Sequence, residues 1–131
     1  MENNTIVIAG GGHAGVEAAF AVSRRGFKCV LITLDKTAIG RLSCNPAIGG
    51  LGKSHLVKEI DALGGAMGIC SDQSGIQFKT LNQSKGRAVW SLRAQVDKKQ
   101  YPKKINALIK KHNNIKIVED EVVGFKTQNK K

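Results

Sequence analysis

At 131 residues the chain has the length of one modest domain, and its 41% hydrophobic content is enough to bury a core. Its 21 Lys and Arg against 10 Asp and Glu leave a formal net charge of +11, which points to a polyanionic partner such as nucleic acid, with a solvated lysine-rich surface as the plain alternative. No run approaches the ~18 apolar residues of a membrane span and no basic-then-apolar leader opens the chain; the three widely spaced cysteines, Cys29, Cys44 and Cys70, suit reduced cytosolic thiols rather than a disulfide framework or a metal site.

The first element is the β-branched run Ile6-Val7-Ile8, which ends directly in Gly10-x-Gly12-x-x-Gly15. That order is the fingerprint of a dinucleotide-binding β-α-β unit. Gly10 lets the chain turn sharply off the strand, Gly12 lets backbone approach a pyrophosphate, and Gly15 lets the next helix pack closely on the strand. The phosphates then meet the free N–H groups and positive dipole end of that helix. Val16 to Arg25 favours helix, Gly26 suits its C′ position, and Cys29 to Thr33 supplies the second strand. Thr33 stands where an acidic residue usually binds the ribose hydroxyls, and Asp35 reads as a turn residue. Lys36 and Arg41 keep an extra-phosphate, NADP reading open, so the glycines alone do not choose between FAD and NAD(P).

A Gly-rich connection covers Asp35 to Lys53. Ser54 is then expected to cap a helix with Leu56, Val57, Ile60 and Leu63 on one stripe, ending at Gly64-Gly65. Residues 67–87 read as irregular apart from the brief Ile76-Gln77-Phe78. The next pattern is helical, with Tyr101, Ile105, Leu108 and Ile109 on one face, Lys99, Lys103 and Lys110 on the other, and Pro102 marking a start or a kink. Ile115–Val118 and Val122–Phe125 read as two short strands. The strand–helix–strand rhythm predicts an α/β fold with a parallel sheet covered by helices. Ala47-x-x-x-x-Gly52-Lys53-Ser54 matches a relaxed P-loop, but Leu42 to Pro46 cannot form the buried strand that a P-loop follows, which favours a cofactor or substrate loop over an NTPase.

Downstream of Gly10-Gly11-Gly12-His13-Ala14-Gly15 come, in order, Ser43 to Gly50, Gly52-Lys53, His55 to Glu59, Asp61 to Gly65, Gly75 to Phe78, Leu81-Asn82, Ser84 to Gly86 and Arg93 to Gln95. This series of blocks resembles the MnmG (GidA) family, FAD-dependent enzymes that modify the wobble uridine of tRNA, from the first strand to about Val122. The resemblance implies an incomplete Rossmann-like FAD/NAD(P)-binding fold. Residues 1–131 would be the N-terminal part of an FAD-binding domain, without the NADH-binding insertion and the helical C-terminal region that engages tRNA.

It further implies FAD held at Gly10, Gly11, Gly12, His13, Ala14 and Gly15, with Val122 on a later strand at the adenine end, and no metal. The implied reaction installs the 5-carboxymethylaminomethyl group on the wobble uridine. It uses methylene-tetrahydrofolate and NADH, with an MnmE-type GTPase as partner, in a cytoplasmic enzyme that is a homodimer at full length. Cys44 is the candidate catalytic residue, a nucleophile or redox thiol aided by cations such as Lys53, with a small packing residue as the equal alternative. Lys53, Lys85, Arg87 and Arg93 are candidate phosphate or flavin contacts. The segment alone is expected to lack complete activity. The alternatives are a non-catalytic nucleotide- or tRNA-binding module and an NAD(P)-dependent oxidoreductase fragment.

Overall fold

The computed structural model describes residues 5–127. The β-branched runs at the start form two parallel strands, β1 (Thr5–Ala9) and β2 (Lys28–Thr33), joined by helix α1 (His13–Arg24). Their register runs from Thr5 opposite Lys28 to Ala9 opposite Ile32. A last strand, β6 (Ile115–Glu119), lies parallel on the other side of β2, so the order is β1-β2-β6 with β1 at an edge. In α1 the buried residues Val16, Ala19, Phe20 and Ser23 recur at three- and four-residue spacing and turn one stripe to the core. The helix stops at Gly26, whose φ of +81° suits the left-handed C′ position that a side chain would resist.

Between β2 and β6 the chain builds a second, antiparallel sheet from β3 (Ala47–Gly49), β4 (Gly75–Leu81) and β5 (Ser91–Val96), in the order β3-β5-β4. Helices α2 (Lys53–Ala62), α3 (Met67–Ser74) and α4 (Gln100–Lys110) complete the fold. One core joins the parts: Phe20, Leu31, Ile39, Val96, Tyr101 and Ile105 are each at most 2% exposed and belong to one cluster. A polar clamp closes its far end. Ser23 Oγ donates to Asn114 Oδ1 at 2.5 Å, and Asn114 Nδ2 donates to the Ser23 and Phe27 carbonyls at 3.0 and 2.8 Å. This ties the end of α1 to the start of β6. Because the Ser23 proton is committed to Asn114, His112 Nδ1, 2.7 Å from Ser23 Oγ, acts as the donor in that contact.

Several expectations need correction. The parallel sheet and its covering helices form, but half of the strands belong to the antiparallel sheet, which periodicity did not reveal. β3 has only three residues and exists because Ala47, Ile48 and Gly49 find partners in Gln95, Ala94 and Arg93. Helix α3 also went unseen, since Gly, Ser and Asp give it poor intrinsic propensity. It is held from outside: the Glu17 carboxylate accepts from Ala66 N at 2.9 Å and from Met67 N at 2.6 Å. Ser54 is not a cap. Gly52 occupies that position with no side-chain bond, and Ser54 lies inside the helix at 5% exposure. The α2 stripe is only partly inward, with Leu56 60% and Leu63 80% exposed. Pro102 falls in the first turn of α4, where its missing N–H costs nothing.

The strand expected over Val122–Phe125 does not form. β6 ends at Glu119, Asp120 N donates to Thr33 O at 3.0 Å, and residues 120–127 continue without regular structure. A strand needs a neighbour to satisfy its backbone, and among the described residues none pairs with Val123 or Phe125, each 91% exposed.

Candidate dinucleotide-binding site

The glycine corner sits at the carboxyl edge of the parallel sheet. Gly10 N donates to Ile32 O at 2.7 Å, extending the β1–β2 pairing by one bond before the chain swings away at φ +105°. Three residues later α1 begins, and its first intrahelical bond is Val16 N to Gly12 O at 2.9 Å. The N–H groups of His13, Ala14 and Gly15 are therefore not taken up by that turn. No side chain caps α1 and no acidic residue lies in its first turn. The positive end of the helix is thus open to an external anion.

The glycines differ in what they do. A Cβ on Gly15 would stand 1.9 Å from the Gly10 carbonyl oxygen, so only glycine lets helix and turn approach this closely. A Cβ on Gly12 would meet nothing within 4 Å. That open side faces away from the fold, where a diphosphate can lie against backbone. Gly11 is buried against Thr33, whose Oγ1 would stand 2.8 Å from an added Cβ, and its carbonyl accepts from Gly40 N at 3.1 Å. Thr33 Oγ1 itself donates to Asp35 O at 3.3 Å.

His13 opens α1 half-buried. Desolvation chiefly, then the Lys53 charge, lowers its pKa, against an opposing pull from Glu17. The imidazole is therefore neutral at pH 7. Its Nε2 is buried without a partner among the described residues, and its ring centroid lies 5.7 Å from that of Tyr101. Sequence reasoning missed Tyr101 as a support for this loop, because a helical apolar stripe carries no sign of what it packs against. It also missed Glu17, whose signal was a lone carboxylate on an apolar helix.

Cys44 is exposed in the segment after Gly40, while Leu42 and Ala47 on either side are buried. The Gly40–Gly11 bond tethers this segment to the glycine corner, and four residues span at most about 14 Å. Cys29 and Cys70 are buried. The Ala47–Ser54 segment is a strand, turn and helix, but its strand is short and antiparallel, and Lys53 Nζ donates back to Ala47 O at 3.2 Å. That is not the phosphate cradle of an NTPase.

The other candidates are scattered. Asp35 Oδ1 accepts from Thr37 N at 2.7 Å as a turn residue. Lys36 pairs with Glu119 at 3.6 Å, which occupies one cation proposed for an extra phosphate. Arg87 stacks over Trp90 at 5.8 Å. Arg93 lines a half-open, largely apolar cavity of about 250 Å³ with Ile48, Val57, Phe78 and Leu92, and no residue of the glycine corner borders it. Val122 is 49% exposed and lies two residues beyond Asp120, whose bond to Thr33 holds it at the same sheet edge as the corner.

Comparison with known proteins agrees with this arrangement. The family model described as glucose inhibited division protein A, GIDA, matches residues 5–131. Two crystal forms of Aquifex aeolicus GidA are similar at TM-score 0.88, with 47% and 51% identity over 97% and 95% of this chain. The chain spans 22% and 21% of the length of those relatives. p-Nitrophenol 4-monooxygenase PnpA from Pseudomonas putida DLL-E4, at TM-score 0.51 and 15% identity over 87% of this chain and 32% of that one, shares the fold alone. The fold is thus α/β and Rossmann-like. With the glycine corner in place and a family match running from the first strand to the last residue, the chain belongs to the GidA family.

Proposed function

We propose that residues 1–131 form the N-terminal part of the FAD-binding domain of an enzyme that installs the 5-carboxymethylaminomethyl group on the wobble uridine of tRNA. The observation that carries this reading is the uncapped start of α1 behind a glycine corner, in a chain of the GidA family. The residues present fit the cofactor: free N–H groups at His13, Ala14 and Gly15, open space at Gly12, and no competing carboxylate in the first turn. Gly10 to Gly15 would hold the diphosphate, and Val122 would meet the adenine end. When bound, the flavin supplies the redox chemistry.

The chain's own residues do the positioning. The α1 N-terminus neutralises diphosphate charge, and His13, packed against Tyr101, shapes the turn. Cys44, tethered through Gly40 to the corner and exposed, acts as the nucleophile or redox thiol toward the uridine. The formal charge of +11 supports a tRNA substrate. Methylene-tetrahydrofolate as carbon donor, NADH as reductant, an MnmE-type GTPase partner, a homodimer and a cytoplasmic setting follow from the resemblance to the MnmG family and complete the proposal.

The test is made on the whole protein that carries this segment. It should purify with flavin absorbance and modify tRNA when supplied with methylene-tetrahydrofolate, NADH and the GTPase. Cys44→Ser should abolish modification while flavin content stays unchanged. A protein that binds no flavin, or a Cys44→Ser variant with full activity, refutes the corresponding part of the reading.

A further inference from the structure

The residues from Lys98 to Lys111 include six lysines, Lys98, Lys99, Lys103, Lys104, Lys110 and Lys111, and no acidic residue. Helix α4 sorts them. At about 100° per residue, Lys99, Lys103 and Lys110 fall within an arc of roughly 40° and extend about 16 Å along the axis. Tyr101, Ile105 and Ile109, at 0%, 1% and 2% exposure, occupy the opposite face. The three lysines are exposed.

Compensation of this row is slight: the Asp97 carboxylate attracts Lys99 and Lys103 at one end, and no ion pair among the described residues involves the three lysines. The one ion pair among the described residues is Lys36 with Glu119, on another part of the surface. The nearest carboxylate, Asp97, spends its Oδ1 on Lys99 N at 2.7 Å and Gln100 N at 2.8 Å, capping the helix start. Lys99 and Lys103 stand four residues apart, a spacing at which like charges destabilise a helix. The helix is held by its apolar face, so the row is a structural burden that folding does not need.

We propose that this lysine row is a contact surface for the phosphodiester backbone of RNA. A line of single cations without apolar neighbours matches a chain of phosphates, whose counterions it displaces. A membrane-surface helix would need an apolar flank, and a protein interface would need an apolar or aromatic centre; the exposed side of α4 offers only Ala107. Tyr101, whose ring lies against His13, is on the opposite, buried face of α4, so the row looks away from the glycine corner and is a separate surface. The proposal rests on the tRNA-modifying reading and adds to it a surface that the glycine corner does not imply.

The experiment measures tRNA affinity of the whole protein between 50 and 200 mM salt by fluorescence anisotropy. The triple variant Lys99→Gln, Lys103→Gln, Lys110→Gln removes up to three phosphate contacts, so the slope of log affinity against log salt should fall by about 2.7. Over that range the unaltered protein should lose about forty-fold more affinity than the variant. A control triple at Lys28, Lys116 and Lys126, also to Gln, removes the same charge elsewhere and should leave the slope unchanged. Replacing the three row lysines by Arg should preserve binding, which separates contact from folding damage. An unchanged slope in the Gln triple, an equal effect in the control, or loss only of binding to anionic phosphatidylserine vesicles overturns the proposal. A whole protein that binds no tRNA at all overturns both this inference and the function on which it rests.

Discussion

Replacing Gly15 by alanine should act mainly on stability and replacing Gly12 mainly on cofactor binding, although the two residues share one turn. At Gly15 two effects compete. Alanine is the better helix former, worth about 0.5–1 kcal/mol over glycine inside a helix. Against this, its Cβ would stand 1.9 Å from the Gly10 carbonyl oxygen, so backbone must move by more than 1 Å to reach ordinary contact. Overpacking of this kind costs about 1–3 kcal/mol, and the obstacle here is main chain rather than a flexible side-chain tip. The clash wins, and Gly15→Ala should destabilise the fold by about 1–2 kcal/mol while spoiling the cradle. At Gly12, φ is −73° and an added Cβ meets nothing within 4 Å. Gly12→Ala should therefore cost only the modest loss at an N-cap position, about 0.5–1 kcal/mol. Its methyl group instead stands where a diphosphate would lie, so FAD retention should fall by tenfold or more. Urea denaturation followed by circular dichroism reads the first quantity, and flavin titration of the refolded protein reads the second. Gly12→Ala with full flavin affinity, or Gly15→Ala as stable as the parent, would refute this account of the corner.

Glu17→Ala should remove about 2 kcal/mol of stability, because the N–H groups of Ala66 and Met67 lose a charged acceptor, and Glu17→Gln about 1 kcal/mol, since one amide oxygen remains; urea midpoints decide. Burial chiefly, with Glu17 adding and Lys104 opposing, pushes the Cys70 thiol up to about 11 from 9.0. With the folded pKa above the unfolded one, the unfolded chain releases its proton first, so stability holds below pH 9 and falls between pH 9 and about 11. Cys70→Ala should lessen that alkaline slope in denaturation curves taken across pH, with Cys29 and Tyr101, whose pKa values burial also raises, supplying the remainder. Of the three cysteines, exposed Cys44 should react rapidly with a thiol reagent under native conditions, and Cys29 and Cys70 only in urea. Fast labelling of all three in the native state would contradict the burial described above.

Local chemistry was legible wherever a residue's neighbours in sequence are also its neighbours in space. The β1–turn–α1–β2 unit could be read because Gly10, Gly12 and Gly15 act within a few residues of one another, and because α1 carries its own apolar period. The α4 stripe was legible for the same reason, while Pro102, read as a start or a kink, proved to lie in the first turn of a helix that begins at Gln100. The order of blocks from Ser43 to Gln95 likewise pointed to the family without any knowledge of the fold. What failed depends on partners distant in the chain. β3 is a strand because residues 93–95 lie beside it, α3 is a helix because Glu17 caps it from fifty residues away, and Val122–Phe125 is no strand because no partner among the described residues adjoins it. Backbone groups must be satisfied wherever the partner comes from, and an alternating or polar run does not say where that is. The same holds for the site. Sequence alone determined the glycine corner and the family; only the tertiary structure decided that Tyr101 supports His13, that Lys36 is spent on Glu119, and that Cys44 is exposed while the other thiols are buried. Those outcomes are set by packing between elements far apart in sequence, where burial and charge act through space rather than along the chain.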